Sequence, residues 1–254
     1  MNKHFVLATD LDGTFLGGTD ADRRALYDWI EQNRDTVGLI FVSGRDPEFI
    51  HQMCSDKALP WPEYVVCDVG TSIAAVTPAR EITPIATLEQ QISATWDNSG
   101  DAVRAALEPF DGLKEQPTNF RYRVSYDYDP AAYDPRAAEV IADMGHDVLI
   151  SDNRYFDVLP RGISKGPSLL RLLEHLGLST QQVLAAGDTL NDLSMLVAGT
   201  PAVAVGGSEE PLIAALPDRP HIHRARAIGA AGIVEAMMAF DLHPKAKDIL
   251  PHVI

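Results

Sequence analysis

Cysteine is scarce in this 254-residue chain. The two present, Cys54 and Cys67, lie in no CxxC or zinc-ligand spacing, and nothing at the start of the chain reads as a secretion signal. A thiolate zinc site is therefore excluded, and a reducing, cytoplasmic setting is expected. Long apolar runs are missing too: none approaches the ~20 residues of a bilayer span, so no membrane crossing is expected. There is no internal repeat and no low-complexity tract. Positive charge is in short supply, with 21 Lys and Arg against 36 Asp and Glu and a formal net charge of −15. Nucleic acids and anionic membranes would be repelled at long range, which excludes them as partners, and any phosphate site has to be made by a few local cations. What is present, 46% hydrophobic and 22% charged residues, is ordinary for a globular protein and suits one large domain or a domain with a smaller companion.

Apolar segments alternate with amphipathic ones. "HFVLAT" reads as a buried strand ending at Asp10, followed by a helix over "TDADRRALYDWIEQNRD" with Leu26, Trp29 and Ile30 on one face and a capping signal from Thr19 and Asp22. "VGLIFVSG" is a second strand, "DPEFIHQMC" a helix with Asp46 as N-cap and Pro47 first, and "EYVVCDVG" a third strand. Three such units predict a parallel sheet with helices on its faces. From about Pro78 to Val158 the pattern changes to a long helical stretch, the alternating "NFRYRVSYDYDP", a helix over "PRAAEVIADMG", and strands at "DVLIS" and "RYFDVLP". Such alternation suits a sheet covered on one face. A smaller α+β domain over residues 79–158 is therefore expected to interrupt an α/β core made of residues 1–78 and 159–254. A ligand would sit in the crevice between them, beyond the carboxyl ends of the parallel strands.

The charged residues collect at those ends. Strand periodicity puts Asp10 and Asp12 of "ATDLDGTFLGG" on one side, provided the extended geometry continues. Ser43 and Gly44 close the second strand just before a helix, and Asp188 and Asp192 lie in "GDTLND" after the strand "VLAA". Four carboxylates would converge and require cations. Lys165 opens a helix in "GISKGPSLL", where the dipole disfavours a cation, so it is expected to face anions; a solvated surface lysine is the alternative. Hard oxygen ligands with no nearby His or Cys favour Mg²⁺ over zinc as the other cation. His221 and His223 could share a strand face, but no third metal ligand accompanies them. Asp68 and Gly70 either contact ligand or shape the entry to the inserted domain. In "NFRYRVSY", Phe120, Tyr122, Val124 and Tyr126 fall on one face, and Arg121, Arg123 and Ser125 on the other, which could look into the crevice.

"DLDGT" at Asp10–Thr14, "SGR" at Ser43–Arg45, Lys165 in "SKG" and "GDTLND" at Gly187–Asp192 resemble the four ordered motifs of the haloacid dehalogenase superfamily of phosphohydrolases. Their order and spacing cover nearly the whole chain. The insertion resembles the α/β cap of the sugar-phosphatase branch, and "RYRVSY", "YFDVLPRGISKG" and "ARAIGAAGIVEAMMAF" are most similar to sucrose-phosphate phosphatases and their close relatives. The resemblance implies a Rossmann-like α/β core with an inserted α+β cap and Mg²⁺-dependent hydrolysis of a sugar phosphate. By it, Asp10 attacks phosphorus to form an aspartyl-phosphate, and Asp12 protonates the leaving oxygen and then activates water. Asp10, Asp12 through its main-chain carbonyl, Asp188 and Asp192 form the metal site, with Asp192 orienting metal-bound waters. Ser43, Gly44, Lys165 and Asn191 cradle the phosphate, and Thr14 braces the loop. From the residues themselves, Arg45 is expected either to meet a phosphate or substrate oxygen or to lie exposed at its helix start, and the strand-face arginines Arg121 and Arg123 are expected to face the substrate. The implied substrate is a disaccharide phosphate such as sucrose 6-phosphate or mannosylfructose phosphate, with a glycosyl-phosphate synthase as a candidate partner. Two alternatives share parts of the pattern. A phosphosugar mutase would carry every core motif, whereas a phosphorylatable signalling or binding module would have no use for Asp12 as a proton shuttle.

Overall fold

The computed structural model describes residues 3–56, 59–118 and 120–249. The chain begins with β1 (Phe5–Thr9), α1 (Asp20–Gln32), β2 (Val37–Val42), α2 (Pro47–Asp56), β3 (Tyr64–Cys67), β4 (Ser72–Val76) and β5 (Ile82–Pro84). Its middle forms α3 (Ala86–Trp96), α4 (Gly100–Leu107), β6 (Leu113–Glu115), β7 (Val124–Tyr128), α5 (Arg136–Asp143), β8 (His146–Ser151) and β9 (Tyr155–Pro160). It returns through α6 (Lys165–Leu176), β10 (Val183–Gly187), α7 (Leu193–Leu196), β11 (Ala202–Gly206), α8 (Glu210–Ala215), β12 (Ile222–Ile228) and α9 (Ala230–Ala239).

Eight strands make one sheet in the order β12-β11-β10-β1-β2-β3-β4-β5. Neighbours from β12 to β3 are parallel, and β4 and β5 add on antiparallel. Strands β1, β2 and β10 are buried throughout, as parallel strands covered on both faces must be. Side-chain alternation splits the core into two layers. Phe5, Leu7, Leu39 and Phe41 pack with Leu26, Trp29 and Ile30 of α1 and Ile233 of α9. Val6, Ala8, Ile40 and Val42 pack with Leu169 and Leu172 of α6 and Met195 of α7. The N-terminus of α1 is held by the expected box, with Thr19 and Asp22 each accepting the other's backbone N–H.

Topology puts the ligand crevice beside β1. The chain steps outward from β1 to β2 and β3, then returns on the opposite side of β1 as β10. Connections leaving β1 and β10 therefore diverge, and the gap opens at the carboxyl ends of these two strands.

The smaller sheet is antiparallel, in the order β6-β7-β9-β8. Val124, Tyr126, Phe156 and Val158 lie under Trp96, Val103, Leu107 and Ile141 of the covering helices. Ser125, Asp127 and Asp157 alternate with them, and Asp127 and Asp157 line the crevice. The protein is thus α/β, with a smaller α+β unit whose sheet is covered by helices on one face.

Details differ from the sequence pattern. Residues 82–84 lie inside the stretch expected to be the insert, yet pair with β4 and extend the large sheet. The long helical stretch is broken into α3 and α4 by Asp97 and Asn98, both in the left-handed region (φ 46° and 56°). Strand β7 starts only at Val124, so residues 120–123 do not continue the alternation; Asn119 lies outside the described residues. No described helix is long and apolar enough to cross a membrane.

Candidate active site

A cavity of about 610 Å³ lies between the carboxyl ends of the parallel strands and the polar face of the smaller sheet. Asp10 lies at its base. Its N–H still donates to the Ala186 carbonyl of β10 (2.9 Å), so sheet pairing fixes its backbone. The chain then leaves the sheet in one wide turn, with the Phe15 N–H on the Asp10 carbonyl (3.2 Å) and the Leu16 N–H on the Leu11 carbonyl (2.9 Å). Gly13 makes that turn possible: its φ is 80°, and a Cβ there would lie 2.1 Å from Asp188 Oδ2. Extended geometry stops here, so the two aspartates separate. Asp10 is buried, whereas Asp12 is exposed at the mouth of the cavity.

Lys165 is the first residue of α6 and is fully buried. Its Nζ donates to Asp10 Oδ1 (2.7 Å) and Asp192 Oδ1 (2.6 Å), which rules out the solvated-lysine alternative. Burial pulls its pKa down, but the Asp10 and Asp192 carboxylates outweigh burial and hold it above the ordinary lysine value. Asp192 Oδ2 accepts the backbone N–H groups of Asp188 (3.0 Å) and Thr189 (3.1 Å), so both Asp192 oxygens are engaged. Asp188 Oδ1 accepts the Thr14 hydroxyl at 2.6 Å, which ties the turn after β1 to the loop after β10. Among the described residues, Asp10 Oδ2 and Asp188 Oδ2 have no hydrogen-bond partner.

Oxygens of Asp10, Asp188 and Asp192 lie within 4.8 Å of one another, the only such group of His, Cys, Asp or Glu among the described residues. Three carboxylates converge rather than four, because the turn carries the Asp12 side chain outward to Arg45, whose Nε donates to Asp12 Oδ2 at 2.9 Å. Burial pushes the Asp188 carboxyl up to about 7, against the Thr14 hydrogen bond and with the repulsion of Asp192. Asp10 is also held well above the usual carboxylate range, first by burial, with Lys165 opposing and Asp192 and Asp188 adding to the shift. Three clustered carboxylates with one ammonium leave negative charge for one more cation to balance. His223 instead pairs with Glu235 at 2.8 Å and joins no metal-ligating group.

Ser43, Gly44 and Arg45 form a loop between β2 and α2. Asp46 caps α2 by accepting the Phe49 N–H (2.9 Å), and Pro47 is its first residue. The Ser43 N–H donates to the Val66 carbonyl (2.8 Å), while the N–H groups of Val69 and Asp68 donate to the carbonyls of Ser43 (3.1 Å) and Arg45 (3.0 Å). Asp68 is buried, accepts the Ser72 hydroxyl at 2.6 Å and does not line the cavity. The Gly70 carbonyl accepts the Ser168 hydroxyl of α6 at 2.6 Å. Asn191 lines the cavity; its Oδ1 accepts the Thr189 hydroxyl (3.0 Å), which leaves its NH₂ group for a ligand.

The arginines of the inserted unit have separate fates. Arg121 pairs with both oxygens of Glu89 (2.7 and 2.8 Å), donates to the Ser72 hydroxyl (3.1 Å) and does not line the cavity. Its bonds to Glu89 of α3 and Ser72 of β4 hold it away from the crevice face. Arg123 does line the cavity, with Nη1 on Asp157 Oδ1 and Nη2 on the Gly44 carbonyl (3.0 Å each) and its guanidinium 3.5 Å above the Phe120 ring. Sequence reasoning missed Gln116, Asp127, Arg154, Tyr155 and Asp157, which line the same wall. Asp157 left a trace in the sequence as the single charge inside the apolar run "YFDVLP".

This sheet order, with an α+β unit inserted and a buried lysine among three aspartates at the strand ends, is that of the capped haloacid dehalogenase fold. More narrowly, the chain belongs to the Sucrose-6F-phosphate phosphohydrolase family, whose model matches residues 3–241. The fold is similar to that of the sucrose-phosphatase from Synechocystis sp. PCC6803, solved in complex with sucrose and phosphate, with a TM-score of 0.85 at 24% identity over 94% of this chain and 98% of that one. A haloacid dehalogenase-like hydrolase from Bacillus subtilis superposes with a TM-score of 0.68 at 16% identity, covering 95% of this chain and 93% of that one. In sequence, the chain is 39% identical over 236 residues to the glucosylglycerol-phosphate synthase of Pseudomonas anguilliseptica, covering 92% of this chain but 30% of that protein. It is 27% identical over 250 residues to the mannosylfructose-phosphate phosphatase of Agrobacterium fabrum, covering 94% and 98% of the two. Identity to sucrose-phosphatase 2 of Nicotiana tabacum is 27% over 256 residues, covering 94% of this chain and 60% of the tobacco protein. The chain thus spans less than a third of the synthase and well under two thirds of the tobacco enzyme.

Proposed function

We propose that this chain hydrolyses the phosphomonoester of a glycoside phosphate through an aspartyl-phosphate on Asp10. The observation that supports it is the unequal state of the Asp10 oxygens: Lys165 pins Oδ1, while Oδ2 is unpartnered beside the cavity that Ser43 and Gly44 line. Oδ2 attacks phosphorus, and the bond from phosphorus to the sugar oxygen breaks as the acyl-phosphate forms. Asp12, exposed at the mouth, protonates the leaving oxygen. It then takes a proton from the water that attacks the acyl-phosphate, which releases inorganic phosphate and restores Asp10. The Ser43 hydroxyl, the Gly44 N–H and the Asn191 amide hold the phosphoryl oxygens, while Lys165, buried behind Asp10 and outside the cavity lining, acts through the Asp10 carboxylate that it anchors.

The acid cluster fits Mg²⁺. Asp10 and Asp188 each offer a free hard oxygen, Asp12 would add its main-chain carbonyl, and Asp192, with both oxygens engaged, would orient rather than ligate. When bound, the ion supplies positive charge against the phosphoryl oxygens. A pH-dependent stabilisation is the expected consequence. Asp10 and Asp188 have raised pKa values, so the metal-free folded state keeps protons that the unfolded chain releases. Stability of the metal-free protein therefore falls as pH rises from about 4 to about 7. Mg²⁺ would bind the ionised cluster, so the rise in Tm on adding it should be largest near about pH 8 and small near about pH 5. A chelator should abolish activity and Mg²⁺ restore it. A Tm gain that does not change with pH, or full activity in chelator, would count against the site.

The inserted unit, residues 79–158 with β5 left to the core, is placed to close over the leaving group. In this reading Arg45 at the mouth, with Asp127 and Arg154 on the wall, faces sugar hydroxyls. Family membership supports a disaccharide phosphate, sucrose 6-phosphate or mannosylfructose phosphate. The 39% identity to a glucosylglycerol-phosphate synthase favours a second substrate, glucosylglycerol phosphate, and supports association with a glycosyl-phosphate synthase. Both described cysteines are free, in keeping with a cytoplasmic setting. Phosphate release from these three glycoside phosphates, with glucose 6-phosphate and fructose 6-phosphate as controls, tests the assignment. One glycoside phosphate should exceed both hexose phosphates in kcat/KM by roughly tenfold or more, since wall groups left unpaired by a smaller sugar cost binding. Equal turnover of the hexose phosphates would refute it, and isomerised sugar phosphate without phosphate release would identify a mutase.

A further inference from the structure

The loop at Ser43–Arg45 is clamped from outside through three consecutive carbonyls. Backbone N–H groups of the core, from Val69 and Asp68, hold the carbonyls of Ser43 and Arg45. The middle carbonyl, that of Gly44, is held by a side chain of the inserted unit, Arg123, through Nη2 at 3.0 Å. A trans peptide points its C=O and N–H in opposite directions. With the Ser43 carbonyl on Val69, the Gly44 N–H lies on the other edge of its peptide and has no acceptor among the described residues. The next peptide carries the relay. Its carbonyl takes the Arg123 hydrogen bond, and its N–H, that of Arg45, donates to Ser43 Oγ at 3.2 Å. A charged donor on the carbonyl polarises the peptide and strengthens the bond made by its N–H. Ser43 Oγ, held as an acceptor, keeps its own O–H free to donate.

Arg123 itself has little freedom. It is 5% exposed, stacked on Phe120 and paired with Asp157, which also accepts the Ser125 hydroxyl. We propose that Arg123 is a positioning residue for phosphate: through the Gly44–Arg45 peptide it sets Ser43 and the Gly44 N–H, so the phosphate cradle is completed only when the inserted unit is seated on the core. This rests on the reading of Ser43 and Gly44 as phosphate donors. It differs from a sugar-contacting role for Arg123, because it makes the arginine indifferent to the leaving group.

The test compares Arg123→Met with the wild type on p-nitrophenyl phosphate, on the best glycoside phosphate, and for inhibition by inorganic phosphate. Kcat/KM should fall by a similar factor, roughly tenfold, on both substrates, and the inhibition constant of inorganic phosphate should rise in parallel. Loss confined to the glycoside phosphate, with phosphate binding unchanged, would overturn the proposal in favour of sugar contact. A double-mutant cycle with Ser43→Ala gives an independent readout: Arg123→Met should cost clearly less once the Ser43 hydroxyl is gone, with only the part exerted on the Gly44 N–H remaining, and fully additive losses would overturn the relay. Should Arg123→Met fail to fold, Asp157→Asn, which keeps the arginine but weakens its anchor, is measured in the same way against the same criteria. Undiminished phosphate binding in Ser43→Ala alone would instead refute Ser43 as a phosphate donor, and this inference with it.

Discussion

Asp10→Asn is expected to fold normally and to lose turnover by on the order of 10⁴-fold or more. Asparagine has the shape of aspartate, and its carbonyl oxygen can still accept the Lys165 hydrogen bond now made by Oδ1. The backbone N–H to the Ala186 carbonyl is untouched, so the end of β1 stays in register. What disappears is the free Oδ2, replaced by an NH₂ that cannot form an acyl-phosphate. Stability should move the other way. Burial already disfavours the ionised Asp10, so a neutral amide removes a charge that folding has to desolvate. The metal-free variant is therefore expected to melt above the wild type near about pH 8 and to converge with it below about pH 3, where the wild-type carboxyl is protonated in both states. Phosphate release and thermal melting measure the two effects. Activity within tenfold of wild type in a folded variant would rule out Asp10 as the nucleophile (an order-of-magnitude criterion,).

Lys165→Met should be the most destabilising of the site substitutions. Methionine nearly matches the lysine stem in volume, so the change removes a charge without opening a large cavity. Nζ is the shared cation of Asp10 and Asp192, and removing one partner of a buried ion pair costs about 3–5 kcal/mol, because the charge left behind has no compensation. The direction with pH follows from that imbalance. Without Lys165, the already raised pKa of Asp10 rises further, the folded state holds its proton to higher pH, and the stability deficit shrinks as pH falls. Mg²⁺ should recover part of the deficit at neutral pH, because it supplies charge to the same acids, but not the turnover, because Asp10 Oδ1 has lost its anchor. Melting curves across pH, with and without Mg²⁺, test this. A variant as stable as wild type near neutral pH would show that the lysine is not the counter-charge of the buried acids.

These two residues also show how an acidic protein can host an anionic ligand. The chain carries a net charge of −15, yet Asp10, at the base of its cavity, is backed by a fully buried ammonium group that it shares with Asp192. Burial preserves the local field, since water does not screen it, whereas the surplus negative charge on the surface is screened beyond about a Debye length.

Much of this architecture was legible in the residues. Buried apolar runs alternating with amphipathic segments required a parallel sheet, and in such a sheet every strand ends on the same side; that alone gathers Asp10, Ser43, Asp188 and Asp192 at one edge. The capping box at Thr19 and Asp22 and the N-cap at Asp46 were legible too, because caps act over three residues. Contacts set by long-range register were not. Asp12 swings away from Asp10 because the chain coils at Gly13 against Asp188, far along the sequence. Arg121 and Arg123 both precede β7 and differ in role because their partners differ: Arg121 is drawn to Glu89 of α3 and Ser72 of β4, Arg123 to Asp157 of β9 and the Gly44 carbonyl. Strand β5 joins the large sheet because the edge of β4 was available to it. Periodicity within a segment determines which side chains share a face, so the sequence by itself determined the fold class and the meeting of the acids at the strand ends. Which atom each side chain then touches depends on where separate segments dock, and only the tertiary structure decided that Lys165 lies between Asp10 and Asp192 and that Arg123 holds the Gly44 carbonyl.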